Sequence, residues 1–350
     1  MLAEFSVIQG EYLRDILDQP RALEETLASL TELKPLRVVA SRVDSGKFDR
    51  IVLTGMGSSF HALHPLYLDL IDRGITSVMV ETSELVHYQT RLFDPKTLII
   101  AVSQSGQSAE VVRLLKANRG KSRLVAVTNT QKSPLAKEAD GVIVTRAGRE
   151  FSVSCKTFVT GLMALKWLGD IFGGGNLRET REELETVCSA VRSYLNDWKD
   201  HTEKFAQRLT GIRHLFFVGR GSSLAAVEMG ALIVKEADHF PAEGMSCAGF
   251  RHGPFEMLSK DTFVLVFAGA EKTRDLNLRL LGDIREQSGR AELVSEGGGH
   301  FEPCILPKVP EAVRPIVEAL PVQMITLALA AQAGREPGRF QLATKITTTE

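Results

Sequence analysis

The segment RIVLTGMGSS at residues 50–59 joins a short apolar strand to a glycine turn with two serines. A second segment of the same form, HLFFVGRGSS, occupies residues 214–223. A tight turn after an apolar strand is typical of the first strand of a parallel sheet in an α/β domain. Because both turns read Gly-x-Gly-Ser-Ser, we infer an internal duplication. The alternative is that two α/β domains each need a tight glycine turn at this place.

Short runs rich in Val and Ile continue the pattern in both halves, as in TLIIAVS, RLVAVTN and FVLVFAG, with helix-length segments between them. Such alternation predicts parallel sheets covered by helices. Residues 4–43 predict two helices, and helical spacing through Leu184, Val191 and Phe205 predicts a long connector. The predicted organisation is therefore an N-terminal helical arm (1–45), a first α/β domain (46–177), a helical connector (178–210), a second α/β domain (211–335) and a C-terminal tail (336–350).

The charge and composition of the chain exclude several classes of protein. The 42 Lys and Arg residues are balanced by 43 Asp and Glu residues, and because a nucleic-acid partner requires a basic surplus, we expect none. The apolar runs, such as residues 97–102, are far shorter than the roughly 20 residues of a membrane-spanning helix, and no signal-peptide stretch opens the chain. We therefore expect a cytoplasmic protein with no membrane partner. The four cysteines form no C-x-x-C pair, so we expect reduced thiols and no metal site.

The first glycine turn departs from the dinucleotide-binding fingerprint. That fingerprint has a third small residue three positions after the second glycine, where this chain has Phe60 and, in the second copy, Leu224. We therefore expect no nicotinamide or flavin cofactor. Gly57 lets the backbone approach an anion, and Ser58 and Ser59 lie where a helix begins, which makes them candidate phosphate ligands. The alternative is that these serines only cap the helix.

A richer set of donors follows the strand TLIIAV, where residues 103–108 read SQSGQS and precede the helical pattern AEVVRLLKA. Capping a helix requires one hydroxyl. Here three serines and a glutamine amide surround a glycine turn, which indicates a phosphate site made of neutral donors. The candidate ligands are Ser103, Gln104, Ser105 and Ser108. The Walker pattern is absent from the sequence, which favours a small phosphorylated metabolite over a nucleoside triphosphate.

These motifs, with YLRDILDQPRAL at residues 12–23, resemble the tandem sugar isomerase (SIS) domain proteins over nearly the whole chain. The chain is similar to the isomerase half of glucosamine-6-phosphate synthase and to stand-alone aminosugar-phosphate deaminases and fructosamine-phosphate deglycases. The resemblance implies two three-layer α/β/α SIS domains with flavodoxin-like parallel sheets, an N-terminal helical arm and a C-terminal tail. It also implies an aldose–ketose isomerase that binds a sugar phosphate on two serine loops and uses no cofactor.

The resemblance further implies roles for individual residues. Glu236, near the end of a predicted helix, matches the carboxylate that moves a proton between C1 and C2 of the sugar. His252 matches the histidine that opens the sugar ring and that relatives take from the partner subunit, which implies a homodimer. Lys345 matches the lysine of the C-terminal tail, as an electrophile or Schiff-base partner. Ser154 and Glu243 match substrate-binding segments. Taken alone, the first three also fit a solvent-facing helix end, a turn histidine and a frayed tail.

Two local predictions concern the second half. Residues 242–254 contain two glycines before the histidine and end in His-Gly-Pro, which predicts an irregular ligand loop or a subunit contact. The phenylalanines of the apolar runs are predicted to lie in the core, namely Phe216, Phe217, Phe263 and Phe267.

Three functions remain open. The first is isomerisation of an aminosugar phosphate of the glucosamine 6-phosphate type with release of ammonia. Because Leu2 follows Met1 where a glutaminase has its cysteine nucleophile, we expect no glutamine hydrolysis. The second is a fructosamine 6-phosphate deglycase, for which Ile233, where the synthase has a lysine, would be an apolar wall. The third is a non-catalytic sugar-phosphate-binding module, but residues 1–45 show no DNA-binding charge pattern.

Overall fold

The computed structural model describes residues 3–287, 289–297, 300–342 and 344–347. The chain forms two compact units, each built around one parallel sheet. The first-sheet unit comprises Arg21–Arg149, Lys156–Glu185 and Ala343–Glu350, and the second-sheet unit comprises Met1–Pro20, Glu150–Cys155 and Thr186–Leu342. Each unit therefore combines three separate parts of the sequence.

Five parallel strands form the first sheet, in the order β2-β1-β3-β4-β5. They are β1 (Arg50–Gly55), β2 (Ser77–Glu81), β3 (Thr97–Val102), β4 (Arg123–Thr128) and β5 (Gly141–Val144). This is the flavodoxin-like doubly wound order, in which the strand sequence reverses between the first and third strands. β1 and β3 are neighbours, with Val52 beside Ile99. Their carboxyl ends therefore border the crevice where such sheets bind ligands.

Helices cover both faces of the first sheet. They are α3 (Lys34–Asp44), α4 (Ser58–His61), α5 (His64–Asp72), α6 (Thr82–Tyr88), α7 (Ala109–Asn118), α8 (Pro134–Glu138) and α9 (Lys156–Phe172). On one face Leu85, Leu114 and Leu135 of α6, α7 and α8 pack on Val52 and Ile99 of the sheet. On the other face α9 packs with α3, α5 and β4. The result is a three-layer α/β/α domain, as predicted.

Four parallel strands form the second sheet, in the order β7-β6-β8-β9. They are β6 (His214–Gly219), β7 (Ala242–Ser246), β8 (Thr262–Phe267) and β9 (Ala291–Val294). This order repeats the first four places of the first sheet. The four phenylalanines predicted to be core residues are each 2 % exposed or less, so that prediction is confirmed.

The second-sheet unit also has three layers. Its helices are α1 (Glu11–Leu17), α11 (Trp198–Arg208), α12 (Leu224–Asp238), α13 (Cys247–Arg251), α14 (Glu271–Gln287) and α15 (Arg314–Ala333), while α2 (Gln19–Ser29) and α10 (Leu177–Asn196) span both units. Leu280 and Ile284 of α14 pack with Phe250 of α13 and Val264 of the sheet. The segment predicted as one helical connector is two helices, α10 and α11, and the N-terminal region has three α-helices where two were predicted.

Residues 242–254 correct the prediction of an irregular segment, because they contain β7 and α13. β7 pairs in parallel with β6. Gly244 explains how the strand fits: a Cβ atom there would lie 2.5 Å from the carbonyl oxygen of Val227 in α12. The sequence AEGMS lacks the β-branched residues that mark the other strands, and tertiary packing therefore decides the strand.

Helix α15 confirms the helix that the sequence predicts from about Pro315 to Ala333. The span Glu311–Ala333 is long and apolar enough to cross a membrane, but 89 % of its most apolar window is buried inside the protein, as in a core helix. N-terminal residues pack on it: the hydroxyls of Tyr12 and Thr326 lie 3.2 Å apart. The buried amides of Gln19 and Gln323 exchange hydrogen bonds of 2.8 and 3.0 Å.

Candidate functional site

The serine loop, Ser103–Ser108, joins β3 to α7 at the carboxyl edge of the first sheet. Ser103 and Ser105 are buried, at 9 % and 7 % exposure. Ser103 Oγ accepts the Gly106 N–H at 3.1 Å, and Ser105 Oγ accepts the Gln107 N–H at 3.3 Å. Within the described residues neither hydroxyl donates a hydrogen bond to the protein. Both oxygens thus hold the turn, and both O–H groups are available to an anion.

The conformation of the serine loop is fixed from behind. Gly106 has φ +62°, and a Cβ atom there would lie 2.2 Å from Ser133 Oγ, so the position requires glycine. The Gly106 carbonyl accepts the Leu135 N–H at 3.1 Å, and the Gln104 carbonyl accepts the Asn129 N–H at 3.1 Å. These contacts come from the segment after β4, whose Thr and Asn residues were not among the predicted site residues.

The C-terminal tail reaches the end of the serine loop. Ser108 occupies the N-cap position of α7, but among the described residues its side chain makes no capping hydrogen bond. The first N–H of α7, that of Ala109, donates to the Thr347 carbonyl at 3.1 Å. Lys345, which is half-buried, lies two residues before this contact. The structure thus places the predicted tail lysine and the serine loop in one unit.

The glycine turn after β1 lies beside the serine loop, since β1 and β3 are adjacent strands. Gly57 has φ +51°, and its carbonyl accepts the N–H groups of Phe60 and His61 at 2.9 and 3.1 Å. Ser58 and Ser59 form the first turn of α4 and are half-buried. In the part of the chain that the structure describes, neither serine caps this helix through its side chain. The hydroxyls are therefore not explained by capping.

The remaining predicted residues belong to the second-sheet unit. Glu236 is half-buried near the end of α12, and Glu243 is exposed on β7, against which α12 packs. His252 is exposed at the C-cap of α13, and its N–H donates to the Gly249 carbonyl at 3.0 Å. Ser154 is half-buried in the segment Glu150–Cys155. The catalytic roles assigned to these residues stay predictions.

The backbone next to His252 is firmly held. Arg251 pairs with Asp283 of α14, and the ring of Phe250 packs edge-on against Phe216 of β6 at 5.2 Å. Gly253 follows with φ +131°, which permits the turn before Pro254. The exposed His252 thus follows a segment that packs on α14 and on β6.

The second glycine turn makes a contact that the sequence did not predict. Ser223 donates to Glu318 Oε1 of α15 at 2.8 Å, and Glu318 is only 1 % exposed. Burial raises the pKa of Glu318 to about 7, although the Ser223 hydrogen bond and Arg314 lower it. The available signal was a lone acidic residue inside the otherwise apolar run PIVEALPV.

The chain matches a family model and is similar in sequence to curated proteins. The SIS domain model matches residues 47–169 and 208–294. The glutamine--fructose-6-phosphate aminotransferase (isomerizing) of Pyrococcus horikoshii is 30 % identical over 362 residues, covering 100 % of this chain and 59 % of that protein. The chain thus spans less than two thirds of the length of this curated relative.

Solved structures share the fold. The C-terminal domain of glucosamine-fructose-6-phosphate aminotransferase from Francisella tularensis has a TM-score of 0.81 at 21 % identity, covering 95 % of this chain and 98 % of that chain. The glucosamine-6-phosphate deaminase of Thermotoga maritima has a TM-score of 0.78 at 20 % identity, covering 97 % and 100 %. At these identities the likeness establishes the architecture alone. Because the two segments matched by the SIS domain model together exceed half of the sequence, this chain belongs to the SIS domain family.

Proposed function

We propose that this chain is a phosphosugar isomerase that acts on an aminosugar phosphate of the glucosamine 6-phosphate type and releases ammonia. The serine loop is the observation that supports this proposal most directly. It offers two buried O–H groups beside the N-terminus of a ten-residue helix, and hydroxyls together with a helix N-terminus suit a phosphate dianion. The turn at Gly57, Ser58 and Ser59 would complete the phosphate site from the neighbouring strand.

Glu236 is the proposed base. Its carboxylate would take the proton from C2 of the open-chain aminosugar, which gives an enolamine, and would return that proton to C1. The product carries an imine at C2, and water then adds to this carbon and displaces ammonia to leave a ketose phosphate. The carboxylate ends the cycle ionised, as it began, so no oxidant or reductant is consumed.

His252 and Lys345 complete the proposed chemistry. His252 would open the sugar ring by exchanging a proton with the ring oxygen, for which an imidazole is suited near neutral pH. Lys345 would stabilise the developing oxyanion or form a Schiff base. Ser154 and Glu243 would contact the sugar. We further propose a cytoplasmic homodimer in which His252 reaches the site of the partner subunit.

The curated relative supports an aminosugar phosphate as substrate. It is named as a glutamine--fructose-6-phosphate aminotransferase (isomerizing). For the deglycase alternative, the residue in question, Ile233, is fully buried, and no observation on the described residues singles out a fructosamine phosphate. We therefore propose the first reaction alone.

The test is to incubate the purified chain with glucosamine 6-phosphate, without glutamine, and to follow ammonia and fructose 6-phosphate together. We expect both products in equal amounts, and neither from the Glu236→Gln variant, which controls for a contaminating enzyme. If the sugar phosphate raises the melting temperature while neither product forms, the aminosugar reaction is rejected and phosphate binding stands. If the melting temperature does not change either, the phosphate site is rejected as well.

A further inference from the structure

A cavity of about 70 Å³ lies at the carboxyl edge of the second sheet. Its wall consists of the residues that follow β8 and β9, the first turn of α14 and the start of α15. We call it the second-sheet cavity. Its volume exceeds the roughly 30 Å³ that one water molecule occupies in the liquid. It is also far smaller than the clefts of several hundred Å³ that take a whole metabolite, so it suits one small polyatomic ion or group.

Glu318 lines this cavity with an unsatisfied oxygen. Its Oε1 atom accepts the Ser223 hydroxyl, whereas Oε2 is buried and has no hydrogen-bond partner within the described ranges. A buried polar atom without a partner costs about 1–3 kcal/mol. In the wall of a cavity, such an atom is available to hydrogen-bond a species that enters the cavity.

The protonation of Glu318 decides what kind of partner fits. Its pKa of about 7 results chiefly from burial, with Glu296 and Glu311 raising it and Arg314 and the Ser223 hydrogen bond lowering it. Below that pH the side chain is mostly the neutral acid. A neutral acid donates a hydrogen bond through its O–H group. A fitting partner for Oε2 is therefore a hydrogen-bond acceptor.

Most charged groups around the cavity already have partners. Glu296 accepts the Val309 N–H and the Arg314 Nε–H, both at 3.2 Å, and Arg314 also donates to the Gly269 carbonyl at 3.0 Å. Glu311 lies 3.7 Å from Arg314, with 54 % of its side chain exposed. The buried part of this set, Glu296 with Arg314, is therefore a neutral pair.

Arg274 supplies a positive charge to the cavity wall. In the region covered by the structure it makes no ion pair or hydrogen bond through its side chain. It lies in the first turn of α14, together with the exposed Glu271, and the N-terminus of this 17-residue helix adds partial positive charge. Gly269, with φ +66°, allows the backbone to turn just before that helix begins.

We propose that the second-sheet cavity binds a small oxyanion, which pairs with Arg274 and the N-terminus of α14 and accepts a hydrogen bond from Glu318. The anion is either free, such as inorganic phosphate, or the terminal phosphate of an ester. This site is separate from the serine loop and does not depend on the proposed reaction.

Calorimetric titration with sulfate tests the proposal, because sulfate does not change its charge near neutral pH. Affinity measured one pH unit above 7 should be about tenfold weaker than one unit below it, since the fraction of protonated Glu318 falls by that factor. The isosteric variant Glu318→Gln donates through its amide at both pH values, so its binding should be retained and independent of pH. Arg274→Gln should lower the affinity at least tenfold.

The serine loop is the competing explanation for any sulfate binding, and Ser105→Ala separates the two sites. The pH-dependent binding should survive this substitution. The proposal is overturned if that binding is lost in Ser105→Ala, if it is unchanged in Arg274→Gln, or if wild-type affinity does not depend on pH. Competition against sulfate then identifies the source: displacement by inorganic phosphate alone indicates a free anion, and displacement also by glucosamine 6-phosphate indicates an ester.

Discussion

The loops after β3 and β8 occupy the same place in two sheets that share a strand order, but their polar groups differ. After β3 the sequence SQSGQS presents neutral hydroxyls braced by the turn itself. After β8 the sequence AGAEKT presents no hydroxyl before Thr273, and the serine of the neighbouring turn, Ser223, is directed to a buried glutamate. One edge thus holds donors that do not titrate near neutral pH, whereas the other holds a carboxyl group that does.

The largest effect should separate chemistry from phosphate binding. Glu236→Gln should lower kcat by about a thousandfold, because the amide cannot accept the sugar proton. KM and the thermal stabilisation by substrate should change little, since the serine loop is intact. Steady-state kinetics and thermal unfolding with glucosamine 6-phosphate measure both quantities. A variant that keeps turnover removes Glu236 from the role of base.

The second effect concerns pH and belongs to the second-sheet unit alone. Folding raises the pKa of Glu318 from 4.5 to about 7, so the folded chain retains a proton that the unfolded chain loses. The stabilisation is complete below pH 4.5 and is lost as the pH rises through 7, a fall of about 3 kcal/mol. Urea unfolding across this range should show the fall in the wild type relative to Glu318→Gln. Parallel curves for the two proteins would contradict the assignment.

The third effect compares two glycines with the same backbone conformation. Gly106 and Gly269 have φ of +62° and +66°, but a Cβ atom would lie 2.2 Å from Ser133 Oγ at Gly106, whereas the nearest atoms at Gly269 are 3.5 Å away. Gly106→Ala should therefore destabilise by about 3 kcal/mol and Gly269→Ala by about 1 kcal/mol. Chemical denaturation measures both. Equal losses would show that backbone strain dominates at Gly106 and that Ser133 moves away freely.

The smallest effect concerns single hydroxyls. Ser105→Ala should raise KM for the sugar phosphate about tenfold with little change in kcat, as expected for one hydrogen bond to a charged group. Ser222→Ala removes a hydroxyl from the glycine turn after β6 and should leave KM unchanged. The same kinetic assay measures both variants. If Ser222→Ala raises KM as much as Ser105→Ala, the prediction that the substrate phosphate binds at the first sheet alone is wrong.

Much of this architecture was predictable from residues alone. Runs such as TLIIAV and HLFFVG predict buried parallel strands. Gly57 and Gly106 mark the turns that follow β1 and β3. β7 was not predictable, because AEGMS has no strand pattern and depends on Gly244 fitting against α12.

The predicted site divides in the same way. The serine loop was predictable from residue type and spacing, because a helix needs one capping hydroxyl and three occur together here. The role of Glu318 was not predictable, because it depends on burial and on a hydroxyl 95 positions away in the sequence. Contacts between residues so distant in sequence leave no local pattern to read.

The three-part composition of each unit has a consequence for biosynthesis. The first sheet is complete once residue 144 has been made, but the carbonyl that receives the Ala109 N–H belongs to Thr347. Likewise, Tyr12 and Gln19 cannot form their contacts with Thr326 and Gln323 until α15 has been synthesised. Because synthesis proceeds from the N-terminus, neither unit can close before its later parts, Thr347 in the first-sheet unit and α15 in the second, have been made. N-terminal residues such as Tyr12 would stay exposed to proteases and chaperones until α15 has been made, and neither unit can be excised by a single cut between the sheets.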